Sequence, residues 1–153
     1  MATLDDVYRK YGEVSEASQL LEVEIGNLVL EARLTDFDLE AIGAGSDARA
    51  ILDRINKGTL GALLLDATKA LGGLDAADLF ADALAERNRL THAFFRHHNF
   101  RRNTAEGRDV MLADLESIHA TVLAAYKAAL AISGIDLDSF EQHGDITTHV
   151  DLD

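Results

Sequence analysis

The spacing of apolar residues over the first part of the chain predicts one long amphipathic helix. From about Leu4 to Leu34, apolar side chains recur mostly at intervals of three and four residues, which places them along one stripe of a helix. Charged residues fill much of the remaining surface. The predicted apolar stripe consists of Leu4, Val7, Tyr8, Tyr11, Val14, Leu21, Ile25, Leu28 and Val29.

The middle of the chain predicts two shorter helices. A glycine- and serine-containing stretch over 35–47 breaks the apolar pattern and indicates a loop. Ser46 or Asp47 is suited to cap a short helix that runs to Ile55. Thr59 is suited to cap the next helix, which the glycine pair 72–73 ends.

Two further helices are predicted in the second half. Asp75 is a good N-cap for a helix that runs to about His97, with buried positions at Leu79, Phe80, Leu84, Leu90 and Phe94. The polar stretch 98–104 predicts a loop. A last long helix begins at Thr104 and stops at Gly134, and its apolar stripe consists of Val110, Leu112, Leu115, Ile118, Val122, Leu123, Tyr126, Leu130 and Ile132.

These elements predict an all-α fold, an antiparallel bundle of four to five helices in one domain over 1–134. Residues 135–153 contain six acidic residues and no lysine or arginine. We expect an acidic C-terminal tail there, disordered or docked on a basic surface. Strand signals are weak throughout the sequence.

Composition narrows the possible chemistry. With 48% apolar residues in 153, the chain has enough apolar surface for a packed core. The absence of cysteine excludes disulfides, cysteine-ligated zinc and thiol catalysis. There is no secretory signal pattern at the N-terminus, and no apolar run approaches the roughly 20 residues that span a bilayer. We therefore expect a cytoplasmic protein without a membrane partner.

Charge is distributed unevenly along the chain. The total of −13 argues against broad, non-specific binding to nucleic acid. Residues 87–108, however, hold six arginines and one acid, a net +5, which leaves −18 for the rest. This local reversal of sign indicates where an anionic ligand could bind.

Within this basic segment, Arg87, Asn88 and His92 suit phosphodiester chemistry that needs no metal. Histidine can act as general acid or base, and a guanidinium binds phosphate through paired donors. Asn88 and His92 are four residues apart and share a helix face, whereas Arg87 lies roughly 140° from His92 around the axis. The structural alternative is that these side chains only satisfy the carbonyls and the negative pole at a helix C-terminus.

The stretch Glu86-Arg87-Asn88-Arg89-Leu90-Thr91-His92 resembles the signature of the HEPN superfamily, an arginine with a polar neighbour and a histidine after four to six intervening residues, here four. The resemblance covers about ten residues as a motif and most of the chain as architecture. It implies a four- or five-helix bundle, and in many members a homodimer in which two motifs meet. Many active members are metal-independent endoribonucleases of toxin–antitoxin or phage-defence systems.

The resemblance also implies roles for individual residues. His92 would be the general acid or base, Arg87 would hold the scissile phosphate, and Asn88 would position both. The product would carry a 2′,3′-cyclic phosphate. Partners would be RNA, a second copy of the chain, and an antitoxin or other protein. No cofactor is expected.

The residues that follow the motif extend its positive charge. Arg96, His97, His98, Arg101 and Arg102 are candidates for an RNA-contacting rim, and the alternative is a solvated basic loop. Phe94, Phe95 and Phe100 could stack on bases. Core or dimer-interface positions are the more common role for such residues.

The sequence offers two alternatives to a ribonuclease, a metal site and a binding module. Glu116 and His119 form a Glu-x-x-His step of the kind that di-metal carboxylate bundles use, but those sites need two such steps and two further glutamates, so no metal is expected. The rival to the ribonuclease is a non-catalytic helical module that binds a nucleotide or a protein. Other superfamily members have such roles.

Overall fold

The computed structural model describes residues 1–36 and 76–134, and these residues are almost entirely helical. Helix α1 spans Leu4–Asp36, α2 spans Ala77–His92, α3 spans Phe94–His98, and α4 spans Ala105–Ile132. A 3₁₀ turn, Asn99–Asn103, joins α3 to α4. The all-helical fold class is confirmed for these residues, which contain no strand.

Several predicted features lie outside the described residues. They are the helices over 46–71, the cap at Asp75, the side chain of Val29 and the acidic tail 135–153.

Helix α4 lies at the centre of the described bundle. It packs most extensively against α1, and next against α2. Its buried face presents apolar side chains at helical spacing, which are Met111, Leu115, Ile118, Val122, Ala125 and Ala129. By length and composition α4 could also cross a membrane, a test that the core helix of a soluble protein passes equally well.

The predicted apolar stripe of α1 is confirmed at its central positions. Val7, Val14, Leu21, Ile25 and Leu28 are all buried in the core. Tyr8 is 44% exposed, because it lies at the edge of the stripe. On the other two long helices, Leu79 and Val110 are also exposed, whereas their neighbours Phe80 and Met111 occupy the buried face.

Helix α4 begins and ends as the sequence predicts. Thr104 is its N-cap, and the Thr104 hydroxyl accepts a hydrogen bond from the backbone N–H of Gly107. Gly134 follows the last turn with φ +82°, a conformation that favours glycine. At the N-terminus of the chain, the Ala2 backbone N–H donates to Asp109 (2.6 Å), so the chain start is fastened to the first turn of α4.

The predicted helix 75–97 is interrupted. It leaves helical geometry at Ala93 (φ −132°) and restarts as α3. The expected loop after it, 98–104, largely forms the 3₁₀ turn. The motif therefore occupies the last two turns of α2, directly before a break in the helix.

Candidate functional site

The side chains at the end of α2 point to three different surroundings. Arg87 faces α1, Arg89 faces α4, and Leu90 is buried in the core. Asn88 and His92 are exposed. Helix geometry explains this division, since consecutive residues are rotated by about 100° around the axis.

Arg87 is held by two partners. Its guanidinium forms an ion pair with Glu22 of α1 (2.9 Å) and donates a hydrogen bond to Asn88 Oδ1 (3.1 Å). Both members of the ion pair are partly exposed. The guanidinium is therefore oriented within reach of solvent, and Glu22 would compete with an incoming anion for it.

His92 lies one helical turn beyond Asn88, as predicted, and its imidazole is exposed. Its backbone carbonyl accepts a hydrogen bond from Arg96 (2.7 Å). Within the described part of the chain, no hydrogen bond or ion pair joins the His92 ring to Arg87 or Asn88. The structure thus brings Arg87 and Asn88 together, and the imidazole makes no hydrogen bond or ion pair with any residue of 1–36 or 76–134.

Arg89 belongs to a separate, tightly bonded cluster. It donates two hydrogen bonds to Asp114 of α4, both of 2.8 Å, and a third to Glu86 (2.7 Å). These bonds raise the pKa of Arg89, and the hydrogen bonds from Arg89 lower the pKa of Asp114 to about 2. The cluster ties α2 to α4 with a bidentate pair.

His98 is part of the same cluster and is buried, with 3% of its surface exposed. Its Nε2 lies 2.6 Å from Asp114, and its Nδ1 lies 3.0 Å from the Arg101 guanidinium. Since Arg101 can only donate, Nδ1 accepts, and Nε2–H donates to the carboxylate. His98 is the one predicted RNA-contacting residue that the structure places inside the protein. Its bonds to Asp114 and Arg101 link α4 to the turn Asn99–Asn103.

The other predicted RNA-contacting residues, Arg96, His97, Arg101 and Arg102, are all exposed. His97 and His98 are adjacent in sequence, yet one ring faces solvent and the other is buried, with ring centroids 5.2 Å apart. Four of the five residues predicted to form the rim are therefore exposed, and His98 is not.

Sequence reasoning missed Asp114, although a signal for it exists. Asp114 lies between Met111, Leu115 and Ile118 on the buried stripe of α4. An acid on an apolar helix face requires a cation or hydrogen-bond donors, since a buried charge without partners is costly. Arg89, within the motif but without an assigned role, supplies those donors.

The Glu-x-x-His step on α4 has surroundings of another kind. The His119 Nδ1 lies 2.8 Å from the Lys10 ammonium group of α1, and burial, with the Lys10 charge, lowers the His119 pKa. Glu116 is exposed. Among residues 1–36 and 76–134, no three His, Asp or Glu side chains are grouped so that they could hold a metal ion.

Comparisons with known proteins add no information about the site. No protein-family model, no curated protein and no solved structure matches the chain.

Proposed function

We propose that this protein is a metal-independent endoribonuclease of HEPN type, with a composite site where two copies of the chain meet. The supporting observation is the exposed polar face at the end of α2, where Asn88 and His92 lie one turn apart beside the solvent-accessible guanidinium of Arg87. This face belongs to the basic segment of a strongly acidic chain. The positive charge of this segment would thus attract an anionic substrate to this face, although the chain as a whole is acidic.

The chemistry follows from the groups present. Attack of the ribose 2′-oxygen on the adjacent phosphorus forms the cyclic phosphate and breaks the bond from phosphorus to the 5′-oxygen. This step requires a base that takes the hydroxyl proton and an acid that protonates the leaving 5′-oxygen. His92 can serve either role, and its counterpart in a second copy would take the other. Arg87 would bind the scissile phosphate after exchange with Glu22, and Asn88 would keep the guanidinium oriented.

The direct experiment is cleavage of single-stranded and structured RNA in EDTA. We expect cleavage by the wild type that ends in a 2′,3′-cyclic phosphate, and none by His92→Ala. Thr91→Ala is the matched control, because Thr91 is also exposed, lies beside His92 on α2 and has no role in the proposed chemistry. Equal cleavage by wild type and His92→Ala would contradict the proposal.

Dimerisation is a separate requirement. The composite site predicts a mass in solution of twice the 16.6 kDa chain. A protein that remains monomeric while cleaving RNA would contradict the two-copy site and leave the motif itself in place.

A second candidate, a non-catalytic module that binds a nucleotide or a protein, is favoured by one observation. Both arginines at the start of the motif already have carboxylate partners within the chain, Arg87 in Glu22 and Arg89 in Asp114 and Glu86. Overexpression separates the two functions. A ribonuclease toxin slows growth and loses this effect in His92→Ala, whereas a binding module is tolerated in both forms.

A further inference from the structure

The turn Asn99–Asn103 displays an aromatic ring on the surface. Phe100 is 75% exposed, more than any other aromatic side chain in the described part of the chain. Exposure of most of a phenyl ring to water forgoes the free energy that its burial would contribute. The residues after it, Arg101 and Arg102, are exposed as well.

The backbone of this turn is fastened at its start and at its end. Asn99 leaves α3 with φ 41°, and its backbone N–H donates to the Phe95 carbonyl. At the other end, the Thr104 backbone N–H donates to the Arg101 carbonyl (3.3 Å), and the Arg108 guanidinium donates to the Arg102 carbonyl (3.0 Å). The Phe100 ring is thus held outward by a structured turn.

Close packing against α4 holds the same turn from below. The Arg101 backbone lies so near Gly107 that a Cβ on this glycine would overlap the Arg101 carbonyl. The buried His98 bonds to both the Arg101 guanidinium and Asp114. Turn, helix and cluster therefore form one connected unit.

The charge and exposure around Phe100 indicate which kind of ligand could bind there. Arg102 makes no hydrogen bond or ion pair through its side chain in the described part of the chain, and the segment 87–108 is positive in a chain of net charge −13. An exposed aromatic ring and an exposed arginine on the same short turn match an unpaired nucleotide, whose base stacks and whose phosphate accepts. A base within a duplex has both faces covered and would not fit.

We propose that Phe100 and Arg102 form a binding subsite for one unpaired nucleotide of single-stranded RNA, with the base stacked on the phenyl ring. The subsite rests on the proposed function, since it would hold the substrate of that same enzyme. It narrows the substrate class to RNA with single-stranded regions.

Binding is measured with a short fluorescently labelled oligouridylate and the full chain carrying His92→Ala, so that cleavage cannot consume the probe. In this background, Phe100→Ala should weaken binding at least about fivefold, the low end of base–aromatic stacking. Phe100→Tyr keeps a stacking face and should restore affinity to within about twofold. Phe100→Leu keeps apolar bulk without a flat ring and should behave like Phe100→Ala.

Two further arms separate stacking from charge. With an oligomer of abasic sites, Phe100→Ala and its parent should bind equally weakly. Arg102→Gln should reduce the dependence of log affinity on log salt by about 0.7, one phosphate contact of a single strand. Because Phe100 is exposed, its variants should unfold at the parent temperature.

Unchanged affinity in Phe100→Ala, or full affinity in Phe100→Leu, would overturn the subsite. Conversion of a dimer to a monomer by Phe100→Ala would assign the ring to a protein contact instead and would also overturn it. If binding follows the expected pattern but wild type cleaves no RNA, the subsite stands and the enzymatic function fails. If wild type cleaves RNA but Phe100→Ala binds the oligouridylate as tightly as its parent, the enzymatic function stands and the subsite fails.

Discussion

The two sides of the α2 C-terminus use similar side chains for different purposes. On the side toward α4, Arg89 makes three charge-assisted hydrogen bonds to Asp114 and Glu86. On the outer side, Asn88 and His92 face solvent. An arginine that makes three hydrogen bonds to two carboxylates stabilises the fold, whereas exposed groups with unused hydrogen-bonding capacity can meet a ligand. The neighbours of a residue, more than its type, decide which role it has.

The largest expected effect on stability is that of removing Asp114. Asp114→Ala should lower the free energy of unfolding by about 3 kcal/mol, because Arg89 and His98 both lose their acceptor. Urea unfolding measures the change. Glu116→Ala is the control, an exposed acid on the same helix whose loss should cost less than about 0.5 kcal/mol. Equal losses in both variants would mean that the Asp114 cluster contributes no more to the free energy of unfolding than an exposed acid does.

Gly107→Ala should have the next largest effect, a loss of about 2 kcal/mol in the free energy of unfolding. The added methyl would meet the Arg101 backbone, which cannot move away cheaply. Gly12→Ala is the matched control within α1, because open space surrounds its Cβ position. That change should stabilise the protein by up to about 1 kcal/mol. Loss of stability in both variants would contradict the close approach of the turn.

Acid should weaken the cluster in a defined window. The bonds from Arg89 hold the folded-state pKa of Asp114 at about 2, below the ordinary aspartate value of 3.8. The unfolded chain therefore takes up the proton first, and stability declines as pH falls from about 4 toward 2. Unfolding followed by circular dichroism over this range should show a shallower decline in Asp114→Asn than in wild type. Identical slopes would remove Asp114 from the acid response.

The smallest effect concerns the outer side. Glu22→Gln frees Arg87 from its carboxylate partner and should tighten RNA binding by about two- to fivefold, the usual range for a partly exposed ion pair. Glu16→Gln removes the same charge from an exposed position on α1 and serves as the control. The same gain in both variants would show that only the net charge matters.

Periodicity was sufficient to predict the two long helices α1 and α4 and most of the core that the described residues form. Val7, Val14 and Leu21 are buried as predicted, and Thr104 caps α4. The exposure of edge positions such as Tyr8 and Val110 was harder to predict. A helical stripe predicts which face is buried but not how far the neighbouring helix reaches across it.

The site was predictable in part. The exposure of Asn88 and His92 on one face follows from their spacing. The burial of His98 beside the exposed His97 does not, because it depends on the break at Ala93 and on Asp114 from a distant helix. The exposure of Phe100 also arises from the turn geometry, which local sequence patterns do not specify.

The two sides of the α2 C-terminus are compared most directly by Arg87→Ala on the outer side and Arg89→Ala on the side toward α4. Each variant is measured for RNA cleavage in EDTA and for urea unfolding. We expect opposite results for the two variants. Arg87→Ala should lose cleavage by at least about 100-fold while its free energy of unfolding changes by less than about 1 kcal/mol. Arg89→Ala should lose about 3 kcal/mol of stability while its folded fraction still cleaves. Loss of cleavage with unchanged stability in Arg89→Ala, or full cleavage in Arg87→Ala, would contradict the account.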